Sequence, residues 1–139
     1  MRRLLCLSCI IVLGLAGWQC EHAEDPAALE DGNATLGAIQ QEIFDTSCAL
    51  SNCHLGDGAP FGLDLSEGEA HGNLAGVSSS EKPSLLRVDP GSPDESYLVH
   101  KIEGGPDIVN ARMPLGRDPL SGEQIDLIRE WIAAGAEDN

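Results

Sequence analysis

The run Cys48-Ala49-Leu50-Ser51-Asn52-Cys53-His54 restricts what this chain can fold into more than any other feature. Two thiols closed by a neighbouring imidazole are what covalent haem attachment requires. The sulfurs add across the two vinyl groups, and the short tether from Cys53 presents His54 to one face of the iron. The usual spacing has two residues between the cysteines, and here there are four. A wider loop can still span both vinyls, so the spacing loosens the match without removing it.

Haem is attached to cysteine outside the bacterial cytoplasm, which requires export. Residues 1–19 read as a signal peptide of the lipoprotein type. Met1-Arg2-Arg3 is a basic start, and Leu4 to Ala16 is an apolar stretch too short for a permanent membrane span. Cys6 and Cys9 lie inside it and leave with it. Cys20 follows Leu15-Ala16-Gly17-Trp18-Gln19, where a bacterial lipoprotein carries its lipid, although Gln19 stands where a small residue is usual. Cleavage near Ala16 or Ala23 is the alternative and leaves a soluble periplasmic protein. With Cys20 as the membrane anchor, the five cysteines divide into two discarded, one lipidated and two for haem.

Loss of Arg2 and Arg3 with the signal leaves six basic residues against 23 acidic ones, a net charge of −17. Such a surface repels nucleic acid, whose binding needs Lys and Arg to displace counterions. It also repels anionic headgroups, so a lipid would have to supply any membrane association. A cationic redox partner would be steered toward it, although the same acidity also serves solubility alone.

Residues 20–34 read as a flexible acidic tether that includes His22, and residues 35–139 as one domain. Five aromatic side chains in the whole chain are few for filling a core, and a buried macrocycle would supply the missing apolar volume. The fold class expected is all-α, with long loops wrapped around one haem. A first helix, 36–45, buries Leu36, Ile39, Ile43 and Phe44. A second starts at Ser66-Glu67-Gly68-Glu69, a capping-box pattern, and stops at Gly76. A third has Ser92 as N-cap, Pro93 in first position and Gly104-Gly105 at its end, with Tyr97, Leu98 and Ile102 inward. A fourth starts at Ser121, boxed by Gln124. It carries Ile125, Leu127, Ile128, Trp131 and Ile132 and stops at Gly135.

Met113 lies in the loop 104–120, fifty-nine residues after His54, in Ala111-Arg112-Met113-Pro114. A thioether in a proline-flanked polar loop is well placed to ligate iron opposite an imidazole and to raise its potential. A lone methionine filling a core gap is the plainer alternative. His100 and His71 compete for the same position and would give a bis-histidine iron. Pro60 is a candidate to offer its carbonyl to the proximal imidazole, and Arg112 and Lys101 are candidates to face haem propionates.

From Ile39 through Ala136 the chain resembles bacterial class I cytochrome c domains of the planctomycete and related type. The matching residues are Ile43-Phe44, Cys48, Cys53-His54, Asp89-Pro90-Gly91-Ser92-Pro93, Ser96-Tyr97-Leu98, Met113-Pro114, Ile125 to Ile128, Trp131-Ile132 and Gly135-Ala136. The resemblance covers nearly the whole domain, and a four-residue spacing between the cysteines is a known variant among c-type cytochromes. It implies a helical cytochrome c fold with one covalent haem c, His54 as proximal ligand and Met113 as distal ligand. It further implies electron transfer, with the first and last helices crossing near a haem edge and Trp131 close to the ring.

The function expected is therefore an exported monohaem electron carrier, not an enzyme. Two alternatives stand beside it. One is a haem sensor or enzyme with an open distal site; the other is a haem-free secreted interaction module with a Cys48–Cys53 disulfide. No nucleophile–base pair, phosphate loop or zinc spacing occurs. Asp57, Asp64 and Asp107 lie in glycine-rich loops without a full calcium ligand set.

Overall fold

Thr35 starts the first helix by accepting the amide of Ala38 on its side-chain oxygen at 3.1 Å, while Leu36 N–H donates to the Asn139 side chain at 2.9 Å. The structure is a computed structural model that describes residues 34–139. The expected signal peptide (1–19), the Cys20 anchor and residues 20–33 of the expected tether, with His22, lie outside the described residues. Helix α1 (Leu36–Ile39) passes directly into a π-helical stretch, Gln40–Cys48. Then follow a 3-10 turn (Pro60–Gly62), α2 (Ala70–Leu74), a second 3-10 turn (Pro93–Glu95), α3 (Tyr97–Glu103) and α4 (Gly122–Ala133). The domain is mostly helical. The described residues contain no strand, only isolated bridges such as Ala75 with Val88.

The first helical segment runs three residues further than its periodicity suggests and changes pitch. Thr46 donates its hydroxyl to the carbonyl of Glu42 at 2.9 Å, and the amide of Ala49 reaches back to the carbonyl of Phe44 at 2.7 Å. Side-chain bonding of this kind competes with the regular backbone ladder. The expected inward face is nonetheless kept, with Leu36, Ile39, Ile43 and Phe44 all buried.

Helix α2 begins later than expected, and its capping box does not form. Ser66 instead donates its hydroxyl to Asp64 at 2.7 Å, and Gly68 turns the chain at φ 83°. The expected third helix is divided. Ser92 makes no side-chain cap, because Ser96 stands extended between Pro93–Glu95 and α3. The hydroxyl of Ser96 donates to the carbonyl of Ser92 at 2.9 Å and accepts the amide of Asp89 at 2.9 Å. Gly104 ends α3 at φ 77°, and a Cβ there would lie 2.7 Å from the Arg112 stem that crosses over it. Only glycine satisfies both demands.

Helix α4 matches its expectation. The Ser121 oxygen accepts Gln124 N–H at 3.3 Å, and Gln124 accepts Ser121 N–H at 3.0 Å. Its apolar face buries Leu127, Ile128, Trp131 and Ile132 against α1 and α3. Burying side chains of this size supplies about 1.5–3 kcal/mol each. Trp131 is enclosed in this core and donates its indole N–H to the carbonyl of Glu137 at 2.8 Å. This packing leaves an apolar cleft between the Cys48–Leu65 loop, α3 and the α3–α4 connection.

Candidate functional site

The π-helical stretch ends on Cys48 and so delivers its thiol to the cleft. The four residues before Cys53 fold into a turn, with Cys53 N–H on the carbonyl of Leu50 at 2.8 Å and Asn52 in the left-handed region at φ 67°. Asparagine tolerates that conformation better than most residues. The amide of His54 then returns to the carbonyl of Cys48 at 3.0 Å. The wider spacing is thus taken up by one closed turn, and both cysteines stay at the same cleft as unbridged thiols.

The imidazole of His54 has Nδ1 3.0 Å from the carbonyl oxygen of Leu63. A carbonyl only accepts, so Nδ1 carries the hydrogen and Nε2 keeps a lone pair. Burial, chiefly, holds the His54 pKa below the ordinary histidine value. The charges of Arg87 and Lys101 act in the same direction, against the Leu63 bond and Glu81. Leu63 is itself positioned by the Pro60–Gly62 turn, which Arg87 braces. Its guanidinium donates to the carbonyls of Phe61 at 2.7 Å and Asn73 at 2.8 Å. Burial and the adjacent Cys53 push the Cys48 thiol up to about 11, with Arg117 opposing them.

Met113 lines the same cleft as Cys48, Cys53 and His54, together with apolar side chains that include Leu65, Leu74, Leu98 and Ile102. Its amide donates to the carbonyl of Lys101 at 2.8 Å. Among the described residues, no group of three or more His, Cys, Asp or Glu side chains stands close enough together to hold a bare metal ion. The donors gathered here are two thiols, one imidazole and one thioether. That set, in an apolar slot with a tautomerically fixed imidazole, fits covalent haem.

Several expected roles fall elsewhere. The carbonyl that meets His54 belongs to Leu63, because the carbonyl of Pro60 is taken by the amide of Leu63 at 3.1 Å. His71 has Nε2 2.9 Å from the carbonyl of Ala136, and His100 has Nε2 2.7 Å from that of Asp94. Both lie outside the cleft, as does Trp131. Arg112 donates to the carbonyl of Ile102 at 2.7 Å and does not line the cleft. The stem of Lys101 does line it, but its ammonium is bound to Glu81 and to the carbonyl of Val109.

Residue types alone did not indicate Leu63, Arg87, Glu81 or Phe61. Phe61 offers one signal only after folding: a bulky side chain at φ 59°, 61% exposed at the cleft mouth. Leu115, also at the mouth, is 67% exposed. No helix among the described residues is long and apolar enough to cross a membrane. No protein-family model matches the chain, and no curated protein or solved structure is detectably similar to it.

Proposed function

We propose that this protein is an exported c-type cytochrome that carries one electron at a time on one covalent haem. The observation that carries the reading is the convergence of Cys48, Cys53, His54 and Met113 on one apolar cleft, from two loops fifty-nine residues apart. Haem, when bound, supplies the one-electron couple of its iron. In this reading Cys48 and Cys53 hold it as thioethers. His54 offers Nε2 while Leu63 holds the opposite nitrogen, and Met113 offers its sulfur. A neutral imidazole is the form that binds metal. The apolar walls exclude water, which together with a thioether ligand favours the reduced state.

In this reading a redox partner protein meets the cleft at its mouth, where Phe61 and Leu115 are exposed. Export with a diacylglyceryl anchor on Cys20 remains part of the proposal and places the protein at the cell envelope.

The test is expression of the processed protein alongside a haem-attachment system, followed by denaturation. Haem absorbance is expected to stay with the polypeptide, and to be lost from the Cys48→Ala/Cys53→Ala double variant. Haem that washes out of the wild type, with a Cys48–Cys53 disulfide in the mass spectrum, would sink the reading. In Met113→Ala the iron–thioether charge-transfer band is expected to vanish. A mature mass without diacylglycerol would remove the anchor alone.

A further inference from the structure

The connection that carries Met113 is long, yet α3 grips it at successive points. The ammonium of Lys101 donates to the carbonyl of Val109 at 2.8 Å, and the Tyr97 hydroxyl accepts the amide of Val109 at 2.9 Å. Arg112 donates to the carbonyl of Ile102, and Met113 N–H donates to the carbonyl of Lys101. Glu81 adds a second support from outside α3. One of its carboxylate oxygens lies 3.0 Å from the Lys101 ammonium, and the other accepts the side-chain amide of Asn110 at 2.8 Å.

The two charged side chains are only 8% and 12% exposed. A buried ion pair of this kind adds little net stability over well-packed apolar residues, because desolvation offsets the attraction. Its effect is better sought in what it holds still. Both charges bind residues 109 and 110, three or four positions before Met113, while the Lys101 backbone binds Met113 itself. One residue therefore clamps the loop through its side chain and through its main chain.

The geometry points to Glu81 and Lys101 as positioning residues that set where the Met113 thioether stands in the cleft. This rests on Met113 serving as an iron ligand, as proposed above. Removing the ammonium frees the Val109 carbonyl, lets residues 109–112 move, and loosens the hold on the Met113 amide.

The test compares Lys101→Met, Glu81→Gln and the Glu81→Gln/Lys101→Met double variant in the haem-loaded protein. The readouts are amide exchange at Met113, the iron–thioether band and urea stability. In Lys101→Met, exchange at Met113 is expected to quicken about tenfold, the scale of losing one charge-assisted hydrogen bond, and the band to weaken. The double variant leaves no unpaired buried carboxylate, so stability is expected to recover while exchange stays fast and the band stays weak. A purely structural pair would instead restore all three together, or leave exchange and band at wild-type values throughout; either result overturns the inference. If Lys101→Met fails to fold, Glu81→Ala, which removes the Asn110 bond and the partner of Lys101, is expected to give the same faster exchange and weaker band, and wild-type values for both overturn the inference. Wild-type protein that releases its haem on denaturation defeats the cytochrome reading instead, and Met113 exchange still decides whether the pair holds the loop.

Discussion

The Nδ1 atom of His54 is fixed by the carbonyl oxygen of Leu63, 3.0 Å away and nine residues on in the chain. One backbone oxygen thereby sets the tautomer of the imidazole and leaves Nε2 unprotonated. The oxygen is in place because Arg87 braces the Pro60–Gly62 turn just ahead of it.

Replacing Arg87 by Met is expected to cost about 2 kcal/mol, since the carbonyls of Phe61, Gly62 and Asn73 lose a charged donor. Urea denaturation measures this. The amide of Leu65, which donates to the carbonyl of His54 at 2.9 Å, is expected to exchange faster in the same variant. Unchanged exchange at Leu65 would show that Arg87 does not support the His54 loop.

Phe61 holds a left-handed backbone at φ 59° with most of its ring in solvent. A non-glycine residue there costs about 1–2 kcal/mol, and little contact is lost on removing the ring. Phe61→Gly is therefore expected to raise stability by about 0.5–1 kcal/mol. If the protein is the proposed electron carrier, electron exchange with its partner is expected to slow at the same time. Lower stability in thermal unfolding would show that the ring is bound rather than displayed.

The Cys48 thiol stands at about 11, raised first by burial and then by Cys53. At pH 8 about one molecule in a thousand then carries the thiolate. Alkylation of Cys48 in the haem-free protein is expected to rise about tenfold per pH unit toward that value. Arg117→Gln removes the one opposing charge and is expected to slow alkylation further. A Cys48 that titrates like an ordinary thiol contradicts this, with peptide mass mapping as the measurement.

Burial alone would raise the Glu81 carboxyl, but its bonds from Asn110 and Lys101 more than offset this and hold it below the ordinary 4.5. As pH falls, the unfolded chain takes up this proton before the folded one. The stability Glu81 contributes is therefore present above pH 4.5 and lost as pH falls through the lower folded value. The urea midpoints of wild type and Glu81→Gln are expected to differ at neutral pH and to converge in acid. A gap that stays constant with pH would rule out Glu81 as the group responsible.

Much of the helical layout was legible because its signals are local. The Ser121 and Gln124 box and the spacing of Leu127, Ile128, Trp131 and Ile132 lie within one helix, and α4 formed as they indicate. Ser66 and Ser92 carried capping signals of the same local kind, but neither caps a helix with its side chain. Asp64 took the hydroxyl of Ser66, and the extended Ser96 bridges Ser92 and Asp89. The π-helical stretch before Cys48 was hidden because it keeps Ile43 and Phe44 on the face that an α-helix would bury.

For the cleft, the sequence determined the chemical inventory: two thiols, an imidazole and a thioether, each named by residue type and spacing. Only the tertiary structure decided that they share one apolar slot, that Leu63 rather than Pro60 meets His54, and that His71 and His100 turn to other carbonyls. It alone buried Lys101 against Glu81 behind the loop of Met113. The reason is physical. Ligand type and helical period are properties of neighbouring residues, whereas the aim of a carbonyl and the burial of a charge depend on segments brought together by folding.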